Sequence, residues 1–223
     1  MQRNIAKYID HTLLNPDATQ ENIDNLINEA IEYTFKSVCV HPSWVKYCAQ
    51  KLVNTEVAVC TVVGFPLGAQ TIETKQFEAE DAMAKGATEI DMVINIGRLK
   101  SADYTYIERE IKSLVEVTRD KALLKVIIET ALLSDDEKIA VLKIARNHQV
   151  DFVKTSTGFA TGGATVADIK LMKDIVGDSV QIKASGGIRT LNDFQQMTQA
   201  GATRIGASAG IAIMHEINQT DNK

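Results

Sequence analysis

Two lysines sit inside short apolar runs of this 223-residue chain: Lys154 in Asp151-Phe152-Val153-Lys154-Thr155-Ser156-Thr157-Gly158, and Lys183 in Val180-Gln181-Ile182-Lys183-Ala184-Ser185-Gly186-Gly187. A lysine in a buried strand is expensive unless it is paired or put to use. Side chains alternate along a strand, so Phe152, Lys154 and Ser156 share one face, as do Gln181, Lys183 and Ser185. If the two runs are neighbouring strands, ~4.8 Å apart, inward placement brings two ammonium groups into one pocket. Each then disfavours the other's charge, and with partial desolvation that yields a neutral nucleophilic amine for Schiff-base formation. Lowering a lysine pKa from about 10.4 to about 7.5 costs about 4 kcal/mol and raises the free-amine fraction several hundredfold at neutral pH. The alternative is that one lysine is paired with a buried carboxylate while the other reaches water along its aliphatic stem.

Asp91 in Glu89-Ile90-Asp91-Met92-Val93 and Asp10 in Tyr8-Ile9-Asp10-His11-Thr12 also interrupt apolar runs, offering a proton acceptor and a partner for lysine. Lys125, in Leu123-Leu124-Lys125-Val126, offers the other reading of Asp91, a buried structural ion pair. Gly186-Gly187-Ile188-Arg189 and Gly206-Ala207-Ser208-Ala209-Gly210 follow the last two apolar runs. Glycine-rich turns at such positions commonly bind phosphate through backbone amides, though each alone reads equally as tight-turn chemistry. The four histidines form no HExxH and no close ligand pair, so no metal is expected. Cys39 lies near the end of a run and could meet an electrophile, but a small buried hydrophobe is its commoner role.

The elements that must position these groups alternate. Eight runs rich in Val, Ile or Thr begin at Tyr8, Ser37, Val57, Glu89, Leu123, Asp151, Val180 and Thr203. Helix-like stretches lie between them: Thr19 to Tyr33, Ser43 to Leu52, Thr71 to Lys85, Ala102 to Arg119, Ser134 to His148, Thr165 to Val176 and Thr190 to Ala200. A last helix is expected from about Gly210 to Asn218, followed by a frayed polar tail. Ser134 to Glu137 forms a capping box and Thr190 to Asp193 a weaker cap, while Gly86, Gly177 and Gly201 stand where helices should stop. Strict alternation implies parallel strands joined by helical crossovers. Eight units in this length predict an α/β chain folded as a (β/α)8 TIM barrel, a single domain over residues 1–223. An open doubly wound sheet competes, but no GxGxxG follows the first run and the glycine-rich turns come late.

Composition narrows the function classes. The chain is 45% hydrophobic and 24% charged with a net charge of -5, and its 24 Lys plus Arg against 29 Asp plus Glu provide no basic stripe for nucleic acid. The longest uncharged apolar run falls far short of the ~20 residues of a membrane span, so no membrane partner is expected. Cys39, Cys48 and Cys60 are odd in number with no CxxC, which suits a reducing, cytoplasmic setting.

Lys154-Thr155-Ser156-Thr157-Gly158-Phe159, Gly162-Gly163-Ala164-Thr165 and Lys183-Ala184-Ser185-Gly186-Gly187-Ile188-Arg189-Thr190 together resemble the deoxyribose-phosphate aldolases in order and spacing. The likeness extends through Asp10-His11-Thr12-Leu13-Leu14, Val38-Cys39-Val40, Gly64-Phe65-Pro66-Leu67-Gly68, Glu89 to Val93 and Gly206-Ala207-Ser208, covering essentially the whole chain. It implies a metal-free class I aldolase on a TIM barrel, with no cofactor, that cleaves 2-deoxy-D-ribose 5-phosphate reversibly to D-glyceraldehyde 3-phosphate and acetaldehyde in deoxynucleoside catabolism. By position, Lys154 matches the Schiff-base lysine, Lys183 the second lysine that perturbs it, and Asp91 the acid/base carboxylate. Asp10, Thr12 and Thr157 match substrate-side neighbours, and Gly186, Gly187 and Ser208 the phosphate site. A homo-oligomer, dimer or tetramer, is compatible with this reading.

The chain also departs from that pattern. It ends Thr220-Asp221-Asn222-Lys223 where some members end in a tyrosine proposed to relay protons, and Phe159 stands where some carry a lysine near the phosphate. The rival readings are another Schiff-base barrel aldolase using a ketose donor, and a sugar-phosphate-binding barrel without catalysis.

Overall fold

β-Branched residues favour extended backbone. In the computed structural model, which describes residues 5–221, all eight apolar runs are strands: β1 Ile9–Leu13, β2 Ser37–Val40, β3 Ala58–Val63, β4 Glu89–Val93, β5 Leu123–Ile127, β6 Phe152–Lys154, β7 Gln181–Ser185 and β8 Arg204–Ala207. Every neighbouring pair is parallel and the sheet closes in chain order, with β8 returning to β1 through Asp10 opposite Gly206. The open-sheet alternative is therefore excluded.

The strands are followed by helices: α1 Gln20–Tyr33, α2 Val45–Lys51, α3 Ile72–Ala84, α4 Ile96–Lys100, α5 Tyr104–Thr118, α6 Asp135–Asn147, α7 Val166–Val176, α8 Leu191–Ala200 and α9 Gly210–Asp221, and side-chain caps fix the starts of α1 and of α3 to α8. Ser134 accepts from the Glu137 amide while Glu137 reaches back to the Ser134 amide, and Thr190 with Asp193 repeats the arrangement. Helices α7 and α8 end at Gly177 and Gly201, both at positive φ. The stretch expected as one helix from Ala102 begins instead at Tyr104 under an Asp103 cap, and a separate turn of helix, α4, precedes it under an Asn95 cap. Ala102, in the left-handed region at φ 55°, separates the two. The C-terminal helix continues through Asp221, past the expected end at Asn218, and the remainder of the expected tail lies outside the described residues.

The apolar core lies between the outside of the barrel and the helices, where residues such as Val38, Ile90, Val126, Ile182 and Ile205 meet Ile27, Ile111, Leu142, Ile169 and Phe194. Inside the barrel the apolar residues shrink to a small cluster of Leu14, Cys39, Cys60 and Val62. Most of the remaining interior side chains are charged. Arg204 on β8 reaches across to Glu89 on β4 (2.9 Å), a contact between opposite walls that requires both side chains to point inward. A barrel of this kind stacks its inward side chains in layers of four drawn from alternate strands. Register and contacts give one layer of Ser37, Glu89, Phe152 and Arg204, a second of Asp10, Cys60, Lys125 and Lys183, and a third of Cys39, Asp91, Lys154 and Gly206. No helix among the described residues is long and apolar enough to cross a membrane.

A second ionic pair lies outside the barrel. Lys75 on α3 is wholly buried and donates to Glu110 on α5 (2.6 Å) and to the carbonyls of Gly68 (2.9 Å) and Val93 (2.7 Å), using all three ammonium protons. Burial pushes Lys75 down and Glu110 up from their ordinary pKa values, and the opposite charges offset this only in part. Lys75→Met leaves the Glu110 carboxylate buried with the Asn95 amide as its remaining donor. The substitution is expected to lower the unfolding free energy by about 3–5 kcal/mol, read from urea denaturation; a midpoint equal to that of the unsubstituted chain would show the pair to be dispensable.

Candidate active site

The C-terminal ends of the strands surround a cavity of about 380 Å³. Its wall includes Thr12 near the end of β1, Lys154 at the end of β6 and Thr157 beyond it, Ser185 to Arg189 at the end of β7 and beyond, and Gly206 to Ser208 on and after β8. A larger hollow of about 480 Å³ opens at the opposite end, among Thr88, Leu123, Gln149 and Asp151 at the strand starts, and none of the buried ionic groups line it. Chemistry therefore belongs to the first cavity.

The floor below it is organised by Asp91, which is fully buried. Its Oδ2 accepts from Lys154 Nζ (2.7 Å) and Lys183 Nζ (2.8 Å), and its Oδ1 from Lys125 Nζ (2.8 Å) and Cys60 Sγ (3.2 Å). Four donors fill the four lone-pair positions of a carboxylate. Burial is the largest single influence on Asp91 and would raise its pKa, but Lys125, Lys154 and Lys183 together outweigh it and hold the group well below the usual range. Asp91 is thus both a structural ion-pair partner of Lys125 and the group between the two lysines, so the two readings of it are not alternatives. Neither lysine reaches bulk water, since both share one buried carboxylate oxygen.

Lys183 is held more tightly than Lys154. It also lies 2.5 Å from Asp10 Oδ2. Burial would lower its pKa, yet Asp10 and Asp91 overcome that and raise it far above the usual lysine value. Lys125 behaves likewise under Asp91, Cys60, Glu89 and Asp10. Asp10 sits beneath the cavity and not in its wall: it is fully buried, accepts from Ser37 (2.7 Å) and Arg204 (2.7 Å), and pairs with Lys183. Burial would raise Asp10, but Lys183, Lys125 and Arg204 keep it well below the carboxylate range. Thr12 lines the cavity, its hydroxyl donating to the Asp10 carbonyl (2.8 Å).

Space for Lys183 depends on Gly206, because a Cβ there would stand 3.0 Å from Lys183 Cε. Gly186 and Gly187 turn the chain sharply after β7 at φ 87° and 81°, a conformation that L side chains rarely adopt. That turn lines the cavity together with Ser208, which lies two residues before α9. Two groups of possible metal ligands, Cys39 with Cys60 and Asp91, and Asp10 with Cys60 and Glu89, converge in the floor. The Lys125 ammonium occupies that place, 2.6 Å from Glu89, 2.8 Å from Asp91 and 3.3 Å from Cys60.

Sequence reading did not single out Glu89 and Arg204, although both are charged residues at the start of apolar strands, the signal that identified the lysines. It also passed over Glu129, which follows β5 and accepts hydrogen bonds from the Thr157 amide (3.1 Å) and hydroxyl. Phe159, half exposed, forms part of the cavity wall and packs edge-on against Phe65 (ring centroids 5.3 Å apart). The three cysteines are free and buried, as packing residues would be, and burial pushes the Cys48 thiol up to about 12.

Comparison with known proteins agrees with this geometry. A family model described as "DeoC/LacD family aldolase" matches residues 4–219. The deoxyribose-phosphate aldolase of Listeria monocytogenes is 59% identical over 210 residues, 94% of each chain. Deoxyribose-phosphate aldolase 1 of Oceanobacillus iheyensis is 56% identical over 94% of this chain and 95% of its own. Among solved structures, the tetrameric deoxyribose phosphate aldolase from Aeropyrum pernix superposes with a TM-score of 0.91 at 32% identity, covering 99% of this chain and 93% of that one. The chain belongs to the DeoC/LacD family and is an aldolase, a carbon–carbon lyase.

Proposed function

We propose that the chain cleaves 2-deoxy-D-ribose 5-phosphate reversibly to D-glyceraldehyde 3-phosphate and acetaldehyde through a Schiff base on Lys154, in deoxyribonucleoside catabolism. The observation that carries this reading is the placement of Lys154. Of the four cations packed around Asp10, Glu89 and Asp91, it is the one whose side chain lines the cavity. Lys125 and Lys183 each contact two carboxylates, as does Arg204, whereas Lys154 contacts one oxygen that it shares with Lys183. Four cations face three carboxylates, so a free amine at Lys154 leaves the interior in charge balance. Lys183, fixed as a cation by Asp10 and Asp91, supplies the field that favours that state.

In the cleavage direction, the Lys154 amine adds to the aldehyde carbon and loss of water gives an iminium, which accepts the electron pair released when the carbon–carbon bond breaks. Imine formation turns Nζ toward the substrate and removes one donor from Asp91 Oδ2. The lone pair so freed is available, through water and with Lys183, to the hydroxyl proton that must leave as the aldehyde product forms. The same groups return a proton to the enamine carbon, and hydrolysis releases acetaldehyde. In this reading Gly186, Gly187 and Ser208, which line the cavity, receive the phosphate through backbone amides and a hydroxyl.

One domain over residues 1–223 carries the whole reaction in this reading. The reduced, buried cysteines suit the cytoplasm. Assembly as a homodimer or homotetramer is favoured by the tetrameric relative.

Borohydride added with acetaldehyde or deoxyribose 5-phosphate should leave a reduced two-carbon adduct on Lys154, detected by peptide mass spectrometry; an adduct confined to Lys183 would reverse the assignment. Unphosphorylated deoxyribose should react at least a hundredfold less efficiently in kcat/KM, because the binding energy of the phosphate is lost. Equal efficiencies would remove the phosphate site. Lys183→Met should abolish turnover at neutral pH, with borohydride trapping on Lys154 returning as the pH rises, since the cation that favours the free amine is gone. A Lys183→Met pH–rate profile matching the unsubstituted enzyme would reduce Lys183 to a packing role.

A further inference from the structure

Glu129 is a buried acid in contact with a cavity residue, Thr157, and the mechanism above leaves it unused. It follows β5 with its backbone in the left-handed region (φ 53°, ψ 66°), a conformation that costs a non-glycine residue free energy and persists only where the surroundings impose it. Its carboxylate is buried, with Oε1 lacking a partner among the described residues, while Oε2 accepts from both the amide and the hydroxyl of Thr157. A carboxylate offers lone pairs only, so at this contact the Thr157 hydroxyl donates its proton. The same oxygen, Thr157 Oγ1, accepts from the Phe159 amide (3.1 Å). A hydroxyl has one proton and two lone pairs. One lone pair therefore remains, and Thr157 lines the catalytic cavity.

We propose that Glu129 is a positioning residue that fixes the direction of hydrogen bonding at Thr157, so that this hydroxyl faces the cavity as an acceptor and selects a substrate hydroxyl. An acceptor repels the oxygens of a phosphate and rewards an O–H. The inference rests on the aldolase reading above. In that reading the hydroxyl on the carbon that undergoes cleavage gives its proton toward Asp91, and the phosphate is held by the loops after β7 and β8. The remaining donor of the substrate is the hydroxyl between them, which in the condensation direction sits beside the carbonyl of the acceptor aldehyde. Glu129 thereby makes the enzyme selective for α-hydroxy aldehyde phosphates.

The test compares kcat/KM for condensation of acetaldehyde with two acceptors, D-glyceraldehyde 3-phosphate and 3-oxopropyl phosphate, which lacks the hydroxyl. The unsubstituted enzyme should prefer the hydroxylated acceptor by about ten- to a hundredfold. Glu129→Leu, which leaves the Thr157 proton free to rotate, should bring the ratio to within about threefold of one. Glu129→Gln keeps an acceptor oxygen and should retain most of the preference. Thr157→Val should lose the preference as Glu129→Leu does, and the double substitution should lower it no further. A merely structural role for Glu129 would slow both acceptors alike, so an unchanged ratio in Glu129→Leu or in Thr157→Val overturns the proposal. Thr157→Val also tests it should Glu129→Leu fail to fold. An unsubstituted enzyme that uses both acceptors equally overturns this inference alone; one that condenses neither overturns the aldolase reading as well.

Discussion

A single buried carboxylate, Asp91, bonded to three ammonium groups is the constraint around which the barrel interior is arranged. Ions of this size cost several kcal/mol each to take out of water, and the attraction between them repays that only when every proton and lone pair is satisfied. The layers below the cavity meet this demand by linking walls. Asp91 on β4 binds Lys125 on β5, Lys154 on β6 and Lys183 on β7, while Asp10 on β1 joins Lys183 to Arg204 on β8. Arg204 then returns to Glu89 on β4 and stacks over Phe152 at 5.1 Å. Aliphatic side chains of similar volume would stabilise the fold as well or better. What they cannot supply is an amine in the cavity wall with a carboxylate 2.7 Å from it. The apolar core between sheet and helices carries stability instead, which frees the interior for charge.

The architecture was legible because the elements are locally consistent: each apolar run has the length and β-branched content of a strand, and Ser134, Thr165 and Thr190 begin helices by the mechanism their types provide. The reading failed where tertiary context decides. Nothing in Ile96-Gly97-Arg98-Leu99-Lys100 distinguishes a turn of helix from the tail of a strand until Asn95 accepts from the Arg98 amide (3.1 Å). Likewise, Ala102 enters the left-handed region to separate α4 from α5, a conformation its type does not announce.

In the site, residue type and spacing singled out Lys154, Lys183 and Asp91, which the fold brings into contact, because a charge in an apolar strand is anomalous by itself. The expected mutual repulsion of two lysines was only half of the arrangement. The shared oxygen between them, and the depth of Asp10, depend on register around the barrel, which no local spacing encodes. Lys125 could be paired with Asp91 from sequence because the two runs are consecutive. Arg204 and Glu89 could not, since they stand on opposite walls and meet only after closure. Glu129 was invisible for another reason: an acid just past a strand end looks solvated, and its contact with Thr157, 28 positions away, forms only on folding.

Depth in the stack also distinguishes the four cations. Arg204 and Glu89 lie lowest, Lys125, Lys183 and Asp10 above them, and Asp91 with Lys154 above those, next to the level where Thr12 and Ser185 meet the cavity. The carboxylates below hold Lys183 and Lys125 beneath the cavity, and neither forms part of its wall. Lys154 occupies the boundary, where β6 ends after three residues and the chain turns outward through Thr155 to Gly158. A longer β6 would continue the wall upward and cover the amine, and a shallower Asp91 would be hydrated and release its hold on the lysines. If Lys154 forms the proposed Schiff base, a short β6 serves it by leaving that nitrogen at the surface of a stack whose other cations lie deeper.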